Sequence, residues 1–278
     1  MFFRISYNGD VMFSFFLDLS PVIQALIATI FTWAVTMLGA SIVFFFREVK
    51  KSIMDALLGF SAGVMIAASF WSLLSPAIEL ADSMNMISWL VVFLGFFSGG
   101  LLLFLGDKLY DFIQRKNDKI KISEKVKRSF MLVFSITLHN FPEGLVIGVA
   151  FGSLAYSIEG STLASALTLA LGIGLQNFPE GSAVSLPLRR DGFSRKKAFF
   201  FGQLSGVVEP IAAVIGAILV LKIQSLLPFL LSFAAGAMIY VVVEELIPES
   251  QSNKKKDLMA LFTLIGFSIM MILDVGLG

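Results

Sequence analysis

Two short segments hold the residues best suited to chemistry. One reads His139-Asn140-Phe141-Pro142-Glu143-Gly144 and the other Gln176-Asn177-Phe178-Pro179-Glu180-Gly181, so the same five residues follow an imidazole in the first and an amide in the second. On a helix, residues i and i+4 share a face and i+3 lies beside them. His139, Asn140 and Glu143 can therefore converge, as can Gln176, Asn177 and Glu180. Carboxylates, one imidazole and amide oxygens form a mixed donor set of the kind that holds a divalent cation. Each proline removes a backbone hydrogen bond, freeing the carbonyls of Leu138 and Leu175, and is expected to bend its helix. Gly144 and Gly181 leave room for a neighbouring helix or an ion.

The elements that must position these residues follow from composition. Apolar residues of the AVILMFWYC set make up 57% of the 278 residues and charged residues 15%, where soluble proteins carry about 25% charged residues. Mean hydropathy is +0.87. A water-soluble fold of this length has too little interior to hide so much apolar surface, so the surrounding solvent must be a bilayer. Apolar runs predict eight transmembrane helices, near 20–46, 53–78, 86–106, 128–152, 161–188, 197–221, 226–249 and 257–276. The expected fold class is all-α, one transmembrane unit over 1–278, with 1–19 a short outer tail and 107–127 a basic cytosolic loop. Asn8-Gly9-Asp10 interrupts that tail and argues against a signal-peptide core. Cysteine is absent, which excludes disulfides, thiolate metal sites and thiol catalysis.

Charge distribution predicts the orientation. Of the 21 Lys and Arg residues, 19 fall in alternate connections: Arg47 to Lys51, Lys108 to Arg128, Arg189 to Lys197, and Lys254 to Lys256. Only Arg4 and Lys222 fall in the opposite set. The positive-inside rule then places both termini outside. The outer set carries Asp10, Asp18, Glu79, Asp82, Glu159 and Asp274, which either solubilise helix ends or form a weakly negative mouth for cations.

Consecutive spans run in opposite directions, so the two motifs face each other across an axis in the membrane plane, the arrangement that puts transporter sites near the midplane. An ionisable side chain at mid-bilayer costs about 2.5–3.5 kcal/mol. Three of them, Glu143, Glu180 and Glu209, approach a whole stability margin of about 5–15 kcal/mol. A hydrated cavity, protonation or a bound cation must compensate. Glu244, Glu245 and Glu249 lie near the inner end of the seventh span and either mark the interface or line an exit; Met65 and Ser72 on the second span either pack or face the site.

These residues resemble the ZIP (Zrt-/Irt-like protein) family of divalent metal transporters, and within it the GufA-like branch. Besides the paired motif, the resemblance rests on residues 58–79, 185–216 and 233–249 and covers essentially the whole chain. It implies uptake of Zn²⁺, and of Fe²⁺, Mn²⁺ or Cd²⁺, into the cytosol, with the metal as transported substrate and no organic cofactor. By motif position it makes His139, Glu143, Gln176 and Glu180 a first metal site. Asn140, Asn177 and Glu209 would line a second site sharing Glu143 and Glu180. Glu79, Glu244 and Glu245, from their places near helix ends, are candidates for the pathway. Spans 1, 4, 5 and 6 would form a moving bundle and 2, 3, 7 and 8 a static, dimerising part. Lipid and metal ions are the expected partners, nucleic acid is not, and the expected location is a prokaryotic inner membrane. Two departures stand out: Gln176 replaces the His of many relatives, and Asn177 replaces the Asp of some.

Two other readings use the same residues. Glu143 and Glu180 could serve as a proton relay for a carrier of another solute. An intramembrane enzyme is the weaker alternative: a zinc protease of the HExxH type needs two His, and this chain has one.

Overall fold

A computed structural model describes residues 16–46, 50–116, 124–156, 162–252 and 255–277, with backbone alone at some positions, among them 138 and 139. The tail before residue 16, the centre of the basic loop and the Glu159 connection lie outside the described residues. Within them the chain is helical throughout, with no strand.

The helices are α1 Pro21–Phe45, α2 Lys51–Ser83, α3 Ser88–Lys116, α4 Glu124–Ser153, α5 Leu163–Arg190, α6 Arg195–Lys222, α7 Leu227–Ser250 and α8 Lys256–Leu277. Six are long and apolar enough to cross a membrane: α1, α2, α3 over Ser88–Leu109, α6, α7, and α8 over Lys256–Gly276. The other two, α4 and α5, are 30 and 28 residues long and have their apolar runs interrupted by the two Asn-Phe-Pro-Glu-Gly motifs. Both remain helical through Pro142 and Pro179. The main difference from the predicted boundaries is α3, which continues to Lys116 rather than ending near 106. Hydropathy falls at Asp107 and Lys108, but nothing there breaks a helix.

Local signals explain several ends. The Thr162 side chain accepts from the Ser165 backbone amide at 3.0 Å and the Ser165 hydroxyl accepts from the Thr162 amide at 3.0 Å, a reciprocal cap that starts α5. Ser194 caps α6 in the simpler way. Between these helices Gly192 takes a φ of 101°, which permits the tight turn from α5 into α6.

Four helix pairs carry most of the packing: α1 with α5, α4 with α6, α3 with α7, and α2 with α8. Lipid tails are as apolar as leucine, so association here depends on close backbone approach at small residues. In α4, Gly144, Gly148 and Gly152 face Glu209, Ala213 and Ala217 of α6 in step. Gly95 and Gly99 of α3 face Phe229 and Phe233 of α7, while Gly236 of α7 abuts Phe96. Gly59 meets Met259, Gly63 meets Thr263, Gly181 meets Thr36, and Gly174 meets Phe31. The order of these contacts makes every one of the four pairs parallel. Exchanging α1 with α6, α2 with α7, α3 with α8 and α4 with α5 maps the set of pairs onto itself. The exchange also matches two local features: α2 has a π-helical turn at Ser69–Leu74 and α7 has one at Val242–Leu246, each followed two residues later by a proline.

Large apolar side chains also cover the outside, as on α3, where Trp89, Phe93, Phe97, Leu101 and Leu105 are exposed. Such a surface suits lipid. Replacing Gly236 with Val drives a side chain into the Phe96 backbone. The expected result is a loss of at least about 1–3 kcal/mol in stability, read as a lower melting temperature of the purified protein in detergent. Gly276→Ala, with nothing within 4 Å of the added Cβ, should leave that temperature unchanged.

Candidate metal centre

The two motifs meet at the middle of the bundle. Asn140, Glu143, Gln176, Asn177 and Glu209 are fully buried, and Glu180 is 6% exposed. Glu143, Glu180 and Glu209 lie within electrostatic reach of one another. His139 lies on the α4 turn that carries Asn140, but its side chain falls outside the described residues. Among the described residues, no three His, Asp or Glu side chains already close into a metal-holding group. Glu143 and Glu209 are instead held by amides.

Two consecutive residues of α5 do this. The Gln176 amide donates from Nε2 to Glu143 Oε1 at 2.5 Å, joining α5 to α4. The Asn177 amide donates from Nδ2 to Glu209 Oε1 at 2.9 Å and Oε2 at 3.0 Å, joining α5 to α6. Neighbouring positions on a helix point about 100° apart, so Gln176 and Asn177 reach different helices. Thr32 of α1 completes the set, its hydroxyl donating to Glu209 Oε2 at 2.5 Å. Glu209 follows a 3₁₀ turn at Ser205–Val207 and precedes Pro210, which has no N–H to donate.

Several buried polar atoms in this centre have no partner among the described residues. They are both side-chain polar atoms of Asn140, Glu143 Oε2, Gln176 Oε1, Asn177 Oδ1 and Glu180 Oε2. Buried polar groups almost always find a partner, and leaving one without costs about 1–3 kcal/mol. Five of the six atoms are oxygens, the donor type that hard divalent cations take. Ser61 of α2 adds a contact from across the bundle, its hydroxyl donating to the Gln176 carbonyl at 3.4 Å.

Cavities lie at opposite ends of the helices that flank the centre. A cavity of about 600 Å³ is lined by Met54 and Leu58 near the start of α2, Glu180 and Arg190 of α5, and Glu244, Glu245 and Glu249 of α7. A smaller one of about 210 Å³ is lined by Trp71, Ser72 and Glu79 of α2, Ser153 of α4, Ser165 of α5 and Asp274 of α8. There the Ser72 hydroxyl donates to Asp274 Oδ1 at 2.7 Å. The larger cavity is at the end that carries Arg189, Arg190 and Lys50, and Glu180 is the motif residue that opens onto it. The structure thus brings Asn140, Glu143, Gln176, Asn177, Glu180 and Glu209 together and sets Glu79 apart from Glu244 and Glu245. Met65 is buried in the core, whereas Ser72 lines the smaller cavity.

Thr32 and Ser61 were not expected from the sequence. A signal for Thr32 existed in the run Thr29, Thr32, Thr36 and Gly39, a small and polar stripe on one face of an otherwise apolar helix. Gln176→Leu removes the donor to Glu143 and should lower the melting temperature of the metal-free protein in detergent, by about 1–3 kcal/mol of stability.

Comparison with known proteins gives the family. Residues 113–274, more than half of the chain, match the family described as ZIP zinc transporter. The chain is 38% identical to the zinc transporter ZIP11 of Xenopus tropicalis, over 93% of this chain and 98% of the relative. It is 33% identical to the zinc transporter GufA of Myxococcus xanthus, over 91% and 98% of the two chains. With the zinc transporter ZIPB of Bordetella bronchiseptica the identity is 35%, over 88% and 79%. By this match, and with a bundle of apolar helices around a buried polar centre, the chain is an integral membrane protein of the ZIP zinc transporter family.

Proposed function

We propose that the chain carries divalent metal cations, Zn²⁺ foremost, across its membrane into the cytosol, as a carrier rather than an enzyme. The supporting observation is the set of buried oxygens without protein partners on Asn140, Glu143, Gln176, Asn177 and Glu180. A cation with a mixed oxygen and nitrogen preference satisfies them together with the His139 imidazole on the same helix turn, and it offsets the mutual repulsion of the carboxylates. Several oxygen ligands with one imidazole make a harder site than one with two, so Fe²⁺ and Mn²⁺ also belong to the substrate class, and Cd²⁺ follows from the family.

The passage reads from the smaller cavity to the larger. Glu79 and Asp274 at the Lys- and Arg-poor end gather the cation, and the centre strips part of its hydration shell. Glu180 then hands it towards Glu244 and Glu245. In this reading all eight helices span the bilayer, α4 and α5 bend at Pro142 and Pro179, both termini lie outside, and residues 1–278 form one transporter unit with 107–127 on the cytosolic side. A prokaryotic inner membrane and a homodimer through α2, α3, α7 and α8 complete it.

Flux in reconstituted vesicles tests the assignment. Glu143→Ala or Glu180→Ala should abolish Zn²⁺ entry while the protein still folds and inserts; wild-type flux in both would refute it. Zinc should also raise the melting temperature of the purified protein. At a hundredfold excess over the dissociation constant the stabilisation is about 2.7 kcal/mol, and it should vanish in Glu143→Ala. A carrier of another solute, using the carboxylates only as a proton relay, would show no such dependence on metal.

A further inference from the structure

Glu209 differs from the other two buried carboxylates. Glu143 and Glu180 each keep an oxygen without a partner, whereas both oxygens of Glu209 are engaged. The Thr32 hydroxyl has one proton and two acceptors in reach, Glu209 Oε2 at 2.5 Å and the Thr29 carbonyl at 3.1 Å. The nearer acceptor, an oxygen of the carboxyl group, takes it. Gly206 sits close against the same carboxylate: a Cβ there would lie 3.2 Å from Glu209 Oε1 and 3.1 Å from the Thr36 hydroxyl. The carboxylate is thus held from α1, α5 and its own helix.

Both hydrogens of the Asn177 amide are committed as well. They point at the Glu209 carboxylate and at the Thr32 carbonyl, 3.3 Å away. Flipping the amide would press its carbonyl oxygen against three acceptor oxygens, so the orientation is fixed. Asn177 Oδ1 is thereby turned away from Thr32 and Glu209, and it is one of the buried oxygens without a partner.

We propose that Thr32 is a positioning residue. It holds Glu209, Glu209 holds the Asn177 amide, and the amide presents its carbonyl oxygen to the cation. Glu209 then supports the centre through Asn177 rather than ligating metal itself, and the amide nitrogen takes the place that a second cation would need between residues 177 and 209. The centre therefore binds a single cation. This inference rests on the cation-carrier reading and refines the roles of Asn177 and Glu209 within it.

The test uses the full chain in vesicles, with Zn²⁺ alone as the probe, and compares Thr32→Val, Thr32→Ser, Glu209→Gln and Glu143→Gln. Thr32→Val should raise the half-saturating Zn²⁺ concentration about five- to tenfold, the effect of losing one ordinary hydrogen bond, with the maximal rate kept within about twofold. Thr32→Ser restores the hydroxyl and should stay within about twofold of the wild type in both quantities. Glu209→Gln keeps an acceptor for Asn177 and should retain transport, whereas Glu143→Gln should lose it. Metal analysis of the purified wild type should find a single Zn²⁺ per chain. Wild-type half-saturation in Thr32→Val overturns the proposal, as does Glu209→Gln being as inactive as Glu143→Gln, or binding of more than one Zn²⁺ per chain. Should Thr32→Val fail to fold, Glu209→Gln and the metal count decide. If the wild type moves Zn²⁺ and Glu143→Gln does not, the carrier reading stands whatever the Thr32 variants do. If the wild type moves none, that reading falls and this inference with it.

Discussion

Three carboxylates buried in the middle of an apolar helical bundle set the terms for everything around them. Removing a carboxylate from water is expensive. The protein answers in two ways. Amides of adjacent α5 residues donate to Glu143 and Glu209, with the Thr32 hydroxyl adding a second donor to Glu209. The remaining oxygens of Glu143 and Glu180 are left to whatever enters. Geometry thus divides the acidic residues into one that is satisfied by protein and two that still need a partner.

The helix pairs serve that same constraint. Small residues let α4 approach α6, and α5 approach α1, closely enough for side chains as short as Asn and Thr to span the gap. A β-carbon at Gly144 would collide with the backbone of Glu209, and one at Gly181 with the backbone of Thr36. The glycine closing each Asn-Phe-Pro-Glu-Gly motif therefore sets the spacing at which the adjoining polar groups meet.

Much of this was legible in the sequence. The helix positions followed from hydropathy, because only charged and turn-forming clusters separate the runs. The convergence of Glu143 with Gln176 was signalled by paired motifs of ionisable and amide residues where apolar ones are otherwise the rule, whereas the grouping of Asn177 with the distant Glu209 came from the family resemblance. Thr32 was hidden because threonine in an apolar helix ordinarily bonds its own backbone, as Thr29 does to the Ala25 carbonyl. Its partner lies 177 positions away, so the stripe from Thr29 to Gly39 marks a polar face without naming what it meets. The length of α3 was missed for the opposite reason: polarity marks where a bilayer ends, not where a helix must. The π-helical turns left no composition signal beyond a proline two residues downstream.

Those widened turns both border cavities. Each sits in one member of the exchangeable pair α2 and α7, and each lines a different cavity, through Trp71 and Ser72 at one end and Glu244 and Glu245 at the other. A π turn holds one residue more than the α-helical turn it replaces. Absorbing or releasing that residue rotates the helix beyond it by about 100°, enough to swing a lining side chain out of a passage. The same local change at either position would reorient the side chains lining the cavity there and leave the helix pairs between the two cavities in register.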